Sequence, residues 1–260
     1  KPCKRLPASD EEVRMARKRN LYEPGAEKSF RLSRSKVDDF LGCRRCFYVD
    51  RRLGISHPPG FPFNLNSAVD QLLKTEFDAY RETGEPHPLM VENGIDAVPM
   101  KHENLDIWRQ NFKGVSYTDP ESNFTLFGAV DDLWKDNKSG ETIVVDYKAT
   151  SKAGEVTLDA DWQIAYKRQM EFYQWLLRHN GLEVSDTGYF VYCNGRRDLD
   201  KFDGKLVFDI KVLPYTGSDE WVEGTIKDIF ETLESDEVPS PDPDCDFCKY
   251  TEEAGGVPRD

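Results

Sequence analysis

Two aspartates and a lysine in the middle of the chain have the types and the spacing of a metal-dependent hydrolytic site. Asp146 and Lys148 are two residues apart in the β-branched segment TIVVDYKAT (142–150), so on a strand their side chains project to the same face. Asp131 stands near the end of a similar segment, FTLFGAVDDLW (124–134). A turn-forming stretch joins the two segments and predicts a β-hairpin. Its two strands would each place one carboxylate beside the lysine.

Carboxylates this close repel each other unless a cation joins them, and Mg²⁺ and Mn²⁺ favour such oxygen ligands. A lysine beside the metal would hold an attacking water or stabilise the charge of a transition state. The chemistry implied is metal-assisted hydrolysis of a phosphodiester. The alternative is a strand on which Asp146 and Lys148 form an ordinary surface ion pair, and the three residues alone leave both interpretations open.

The helix predicted after the hairpin adds a glutamine and a tyrosine. Aromatic and apolar residues recur at helical spacing over 162–176, and Gln169 and Tyr173, four residues apart, share one face. An amide and a phenol there would touch a phosphate or position Lys148. Taken alone, aromatic residues on an amphipathic helix are typical of core packing.

The ordered motifs G-x-x-D (128–131), D-x-K (146–148) and Q-x-x-x-Y (169–173) resemble the PD-(D/E)XK nuclease superfamily, and within it the RecB-type exonuclease branch. The resemblance covers roughly residues 31–250. It implies a mixed α/β fold of the restriction-endonuclease type, with a central sheet flanked by helices. It also implies catalytic roles for Asp131, Asp146, Lys148, Gln169 and Tyr173, and metal ligation by Asp131, Asp146 and the backbone carbonyl of Tyr147.

One position departs from that branch. Its members carry a metal-binding histidine on the helix before the hairpin, whereas the corresponding segment here, LNSAVDQLL (65–73), has Asp70. An aspartate can ligate Mg²⁺ or Mn²⁺, so Asp70 is expected to be a further metal ligand, with Glu76 as a second candidate. The alternative for Asp70 is a solvated helix position.

Two C-x-x-C pairs stand near opposite ends of the chain, Cys43 with Cys46 and Cys245 with Cys248. Each pair lets two thiolates bind one metal, and two pairs complete a tetrahedral sulfur site. We therefore expect one shared site that joins the N- and C-terminal segments. Two unrelated reduced pairs, or a redox dithiol, are the alternatives. Cys3 and Cys193 are not part of these pairs. Cys193 ends a predicted strand, a position typical of a small buried apolar side chain.

Zinc and a [4Fe–4S] cluster both accept four thiolates. The resemblance favours the cluster, because AddB-type helicase-nucleases and CRISPR adaptation nucleases carry one. Their ligands are divided one and three along the chain, whereas here the division is two and two, so zinc stays open as the alternative.

Charge is unevenly distributed along the 260 residues, which carry 48 acidic and 35 basic side chains and a formal charge of −13. Residues 1–52 hold 15 of the basic and 8 of the acidic side chains. A local phosphate-binding patch in this segment is expected to contact nucleic acid, and a solvated helical surface is the alternative. The residues concerned are Arg44, Arg45, Arg51 and Arg52.

The organisation predicted from periodicity and turn residues is a polar N-terminal arm (1–30), a single domain (31–250) and a short tail (251–260). Helices are expected from Ser35, from Asn66, over 162–180 and over 222–233, and further strands over 187–193 and 206–212. The segment SPDPDCDFCKY is expected to be a loop broken by prolines.

Together these features predict a divalent-metal-dependent nuclease that hydrolyses DNA at single-stranded regions or ends, in repair, recombination or defence. A helicase or other repair or defence protein would be supplied by another chain. The alternative is a non-catalytic nucleic-acid-binding or adaptor module. No apolar run is long enough for a bilayer, and six cysteines are too few for a disulfide scaffold, so a cytoplasmic protein without a membrane partner is expected.

Overall fold

The structure, a computed structural model, describes residues 20–58, 60 and 64–256. The strands are β1 (Phe30–Ser33), β2 (Ala97–Pro99), β3 (Val115–Asp119), β4 (Phe124–Gly128), β5 (Asp132–Asp136), β6 (Thr142–Thr150), β7 (Thr187–Gly195) and β8 (Phe208–Thr216). The helices are α1 (Arg34–Gly42), α2 (Arg44–Arg51), α3 (Asn64–Thr83), α4 (Pro88–Glu92), α5 (Leu105–Trp108), α6 (Ile164–His179), α7 (Trp221–Glu234) and α8 (Asp246–Gly255). None of these helices is long and apolar enough to cross a membrane.

The strands form two mixed sheets. The larger has the order β2-β5-β6-β7-β8 and the smaller the order β1-β4-β3. β6 and β7 are parallel, as are β1 and β4, and the other pairs are antiparallel. Helices pack against the sheets, and the N- and C-terminal segments meet at the four cysteines. The predicted fold class is confirmed.

The two faces of β6 belong to two apolar cores, which explains its nearly continuous apolar sequence. Val144 packs in the core that α6 covers, whereas Ile143, Val145 and Tyr147 pack in the core that α3 covers. Because side chains alternate along a strand, Asp146 shares the α6 face with Val144. The Asp-x-Lys motif therefore faces the helix that carries the predicted glutamine and tyrosine.

The predicted single strand over 124–134 is two strands in different sheets. β4 ends at Gly128 and β5 begins at Asp132, so Asp131 lies in the crossover between the sheets. A Cβ atom on Gly128 would come within 2.5 Å of the Tyr173 ring, and one on Gly114 within 2.3 Å of the Gly128 carbonyl oxygen. This crowding requires glycine where the chain crosses over. The hairpin itself is present, with Asp132 opposite Val145.

Several elements near the termini differ from the predictions. The first predicted helix begins at Arg34, after Ser33 rather than at a Ser35 cap, and a second helix, α2, follows it directly. The C-terminal segment predicted as a loop contains α8, which begins after Cys245 and buries Cys248 against α2. The contact of Cys248 with Cys43 stabilises this helix, although prolines precede it in the chain. Residues 1–19 of the predicted arm, with Cys3, and residues 257–260 of the predicted tail lie outside the described residues.

Candidate functional site

Asp146 is the most enclosed group of the candidate site. Its side chain is fully buried on β6, and Gln169 of α6 donates a hydrogen bond from Nε2 to Oδ1 at 2.8 Å. The other oxygen, Oδ2, forms an ion pair with the Lys148 ammonium. A buried carboxylate is suited to bind a cation.

Gln169 connects the predicted residues to one another. Its Oε1 accepts a hydrogen bond from Lys148 Nζ at 3.3 Å, and its Nε2 also lies 3.2 Å from the hydroxyl oxygen of Tyr173. Burial raises the pKa of Tyr173 to about 12, so this hydroxyl stays protonated at neutral pH. The Lys148 Nζ also lies 4.5 Å from the centroid of the Tyr166 ring. The amide thus fixes the positions of Asp146 and Lys148 relative to each other.

Asp131 approaches the same region from the crossover between β4 and β5. The Tyr147 N–H donates to Asp131 Oδ2 at 2.9 Å, which fixes the carboxylate beside the backbone of β6. Lys74 Nζ lies 3.4 Å from Asp131 Oδ1 and 2.8 Å from Asp70 Oδ2. One ammonium therefore links the predicted ligand on α3 to the predicted ligand on the crossover.

The pKa values of these carboxyl groups reflect their crowding. Burial raises the pKa of Asp146 to about 6; the neighbouring Lys148 opposes this rise and Asp131 adds to it. Burial and the charge of Asp131 likewise raise the pKa of Asp70, against the effect of Lys74. A divalent cation would remove both costs, because it attracts the charged form of every carboxylate. Carboxylate oxygens are the ligands that Mg²⁺ and Mn²⁺ prefer, and metal ligation by Asp70, Asp131 and Asp146 stays a prediction.

Lys74 is the residue of this region that the sequence interpretation missed. The sequence did contain a signal for it, because Asp70 and Lys74 are spaced i, i+4 on a helix and can therefore form an ion pair. Glu76, the second candidate on α3, is placed elsewhere. Its Oε1 lies 3.0 Å from Nε2 of His87, and no contact joins it to Asp131 or Asp146 among the described residues.

Asp132, next to Asp131 in the chain, has a different environment. Its buried carboxylate forms ion pairs with Arg81 and, at 2.7 Å, with Arg109, and it accepts a hydrogen bond from the Tyr147 hydroxyl at 2.8 Å. Arg109 also donates from Nε to the backbone carbonyl of Asp131 at 3.1 Å. We call Arg81, Arg109 and Asp132 the arginine network. It holds the crossover in place.

Each of the four arginines predicted to contact nucleic acid has a protein partner. Arg44 pairs with Asp228, and Arg45 donates to the Pro239 carbonyl oxygen at 2.9 Å. The other two arginines form ion pairs, Arg51 with Asp50 at 2.8 Å and Arg52 with Asp236 at 3.0 Å. Contact of these four residues with nucleic acid stays a prediction.

The four cysteines of the two C-x-x-C pairs meet at the junction of α2 and α8. Sulfur–sulfur distances are 3.7 Å for Cys43–Cys248, 3.6 Å for Cys46–Cys245 and 3.8 Å for Cys46–Cys248. All four sulfurs lie within 4.8 Å of one another, a spacing that Asp70, Asp131 and Asp146 do not share in the described chain. The prediction that the pairs come together is confirmed, and four thiolates fit a metal.

Burial affects the pKa of the cysteine thiols, both at the four-cysteine site and at Cys193. Burial raises the pKa of Cys43 and Cys46, so a bound cation would be needed to keep them as thiolates. Cys193 is buried on β7, and burial raises its pKa to about 11. Its thiol is therefore a small apolar group of the core.

Comparison with known proteins decides the family. The model of the PD-(D/E)XK nuclease superfamily matches residues 31–252. The chain belongs to this superfamily. PD-(D/E)XK proteins are in general nucleases that use Mg²⁺ or Mn²⁺, so membership implies a nucleic-acid substrate. No curated protein matches the chain.

Proposed function

We propose that this protein is a divalent-metal-dependent nuclease that hydrolyses phosphodiester bonds of DNA. The observation that supports this most is Asp146, a fully buried carboxylate that pairs with Lys148 and whose pKa the nearby charge of Asp131 helps to raise. Two carboxylates this close to each other in a buried site favour a bound cation. The proposed metal ligands are Asp70, Asp131, Asp146 and the backbone carbonyl of Tyr147.

Each side chain around this centre has its own role in the proposed reaction. A bound cation would supply Lewis-acid polarisation of the scissile phosphate. Lys148, fixed by Gln169 and Asp146, presents its ammonium to the attacking water or to a phosphate oxygen. Gln169 keeps Asp146 in one orientation, and Tyr173 in turn contacts the Gln169 amide. Tyr173 therefore acts on the site through Gln169.

The finer assignment is to the RecB-type branch, acting on single-stranded regions or ends in repair, recombination or defence. The Q-x-x-x-Y pair supports it, because Gln169 contacts both Asp146 and Lys148. The proposal includes a helicase supplied by another chain, which would separate the strands of a duplex substrate. A cytoplasmic location belongs to the proposal, because thiols held for a metal need a reducing compartment.

For the four-cysteine site we propose one zinc ion that joins α2 to α8. A tetrahedral zinc ion with Zn–S bonds of about 2.3 Å holds its sulfurs about 3.8 Å apart. The observed pairs at 3.6, 3.7 and 3.8 Å have this spacing. A [4Fe–4S] cluster has one iron for each cysteine, so its ligands lie farther apart. Sulfur spacing therefore supports zinc over the cluster that the family resemblance favours.

Elemental analysis of the purified protein tests this assignment. One zinc per chain, without absorption in the visible blue, is the expected result. Removal of the metal by a chelator should lower the melting temperature, because the metal binds the folded state. Iron with a visible band would replace zinc by the cluster.

The nuclease activity is tested with end-labelled single- and double-stranded DNA in Mg²⁺ or Mn²⁺. We expect metal-dependent products from the wild type and none from Lys148→Ala. Lys135→Ala is the matched control, because Lys135 is exposed at the opposite end of the same hairpin. Cleavage by Lys148→Ala at the wild-type rate would contradict the proposal.

The second candidate function is a non-catalytic nucleic-acid-binding or adaptor module. It is favoured by one contact, the pairing of Asp70 with Lys74 at a position where the branch carries a histidine. Binding of DNA without cleavage under either metal would establish it. Retention of Asp131, Asp146 and Lys148 around one buried oxygen argues for the enzyme.

A further inference from the structure

An open groove lies beside Lys148, at the carboxyl end of β6. It has a volume of about 460 Å³, and its floor is the end of β6. Its walls include Leu65 of α3, Tyr166 of α6 and Phe208 at the start of β8. Tyr166 lies between the groove and the candidate centre, because it lines the groove and its ring centroid is 4.5 Å from the Lys148 Nζ. We call it the β6-end groove.

Several aromatic and apolar side chains near the groove are exposed. Trp162 is 59% exposed and meets Tyr166 edge-on, with ring centroids 5.4 Å apart. Phe202 is 72% exposed in the loop between β7 and β8, and Leu206 of that loop lines the groove. An exposed apolar cluster next to a reaction centre marks a binding surface.

Two exposed cationic residues stand beside the groove in the sequence, as does the acidic Asp209. Lys152 directly follows the groove residue Ser151, and Arg197 stands two residues beyond the groove residue Gly195. Both cationic residues are exposed, and neither forms an ion pair within the described part of the chain. Ser151 donates a hydrogen bond to the Gly195 carbonyl at 2.9 Å, which joins these two groove residues. Aromatic faces beside unpaired cations are the combination that binds single-stranded nucleic acid.

We infer that the β6-end groove receives an unpaired base of the substrate strand between Tyr166 and Phe208. Trp162 extends the stacking surface to a neighbouring base, and Lys152 and Arg197 contact the adjoining phosphates. The inference rests on the proposed nuclease function, since it places the base next to the phosphate held at Lys148. A base in a duplex would first have to unpair and unstack, which costs a few kcal/mol. The groove therefore selects single-stranded ends or regions.

Binding without metal tests the inference separately from cleavage. The probe is a fluorescein-labelled oligo(dT) strand, compared with a hairpin duplex of the same length, in EDTA at one fixed salt concentration. The wild type is expected to prefer the single strand. Trp162→Ala and Phe208→Ala are each expected to weaken binding of the single strand about 5- to 100-fold and to leave duplex binding unchanged. Phe112→Ala is the matched control, because Phe112 is 79% exposed and lies just before β3 of the other sheet.

The outcomes separate the inference from the function on which it rests. Equal affinity of Trp162→Ala and the wild type for oligo(dT) would overturn the inference, and so would the absence of any binding by the wild type. Trp162→Ala is the decisive variant because its side chain is mostly exposed, whereas Phe208 also contacts the core. If Lys148→Ala cleaves DNA like the wild type, the proposed centre is wrong, and the groove variants still report on strand binding.

Discussion

Asp131 and Asp132 are neighbours in the chain, yet they belong to two regions with opposite electrostatics. Asp132 is 0% exposed and neutralised by two arginines, a tyrosine hydroxyl and the Leu133 N–H at 2.8 Å. The side chain of Asp131 is 22% exposed and accepts one backbone hydrogen bond, with the nearest ammonium 3.4 Å away. The first carboxylate has its charge fully balanced, whereas the second has charge available for a ligand.

The comparison shows how one crossover serves both structure and chemistry. Arg109 binds the side chain of Asp132 and the backbone of Asp131, so the arginine network fixes the position from which Asp131 points to β6. Buried ion pairs contribute specificity of position more than net stability. The carboxylate centre, defined as Asp70, Asp131 and Asp146, pairs instead with the ammonium groups of Lys74 and Lys148, and in the proposed function a divalent cation completes it.

The largest effect is expected from Asp146→Asn. Asparagine keeps the shape of the side chain and removes the charge that would bind the metal, so DNA cleavage should fall by at least about 10³-fold. The fold should persist, because the variant removes a buried charge rather than a packed group. Single-turnover cleavage and thermal unfolding measure the two quantities. Full activity of this variant would remove Asp146 from the centre.

Asp132→Asn should instead act on stability. Two guanidinium groups would lose their buried partner and keep only the half-exposed Asp78, and the loss of a buried partner typically costs up to about 3–5 kcal/mol. The matched control is Asp131→Asn, for which we expect less than about 1 kcal/mol, because Asp131 is half-buried and pairs with a single ammonium at 3.4 Å. Urea unfolding of the two variants gives the comparison directly. Equal losses of unfolding free energy would show that the two carboxylates do not differ as described.

The sequence was sufficient for the residues that follow regular periods. The hairpin, the shared face of Asp146 and Lys148, and the helix that carries Gln169 all follow from spacings of two or four residues. The roles of Asp131 and Asp132 could not be separated in this way, because the strand pattern breaks at the crossover. Arg81 and Arg109 lie far from Asp132 in the chain, and no local pattern indicates such partners.

The C-terminal helix shows a second limit of sequence interpretation. The two prolines of the segment 240–250 predict a loop, and only residues 240–245 of it form one. α8 follows immediately, because Cys248 on its first turn packs against Cys43 and Cys46. Tertiary contacts stabilise a short helix whose own propensity is weak. The C-x-x-C spacing predicted the contact without predicting the helix.

Metal binding should be coupled to pH through the carboxylate centre. The pKa of Asp146 is raised to about 6 in the folded protein, against about 3.9 in an unfolded chain. Between these values the folded state holds the additional proton, so stability of the metal-free protein falls as pH rises through this window. A metal needs the deprotonated form, so stabilisation by Mn²⁺ should grow from pH 5 to pH 7. At about 100 times Kd it should reach about 2.7 kcal/mol.

Thermal unfolding with Mn²⁺ or EDTA across this pH range measures the effect. Asp146→Asn is the control, and we expect it to lose both the pH dependence of this window and the stabilisation by the metal. Stabilisation of equal size at pH 5 and pH 7 would contradict the assignment of this carboxylate as a ligand.

The smallest effect is expected at Lys74, whose ammonium competes with a metal for Asp70 and Asp131. Lys74→Gln should therefore tighten Mn²⁺ binding, by up to about tenfold or 1.4 kcal/mol, since the carboxylates lose their internal cation. Lys36→Gln is the matched control, because Lys36 also joins two carboxylates, Asp39 at 2.7 Å and Asp50 at 2.8 Å. That pair lies outside the carboxylate centre, so its loss should leave metal affinity unchanged. Weaker Mn²⁺ binding by Lys74→Gln would show instead that Lys74 positions Asp70 for the metal.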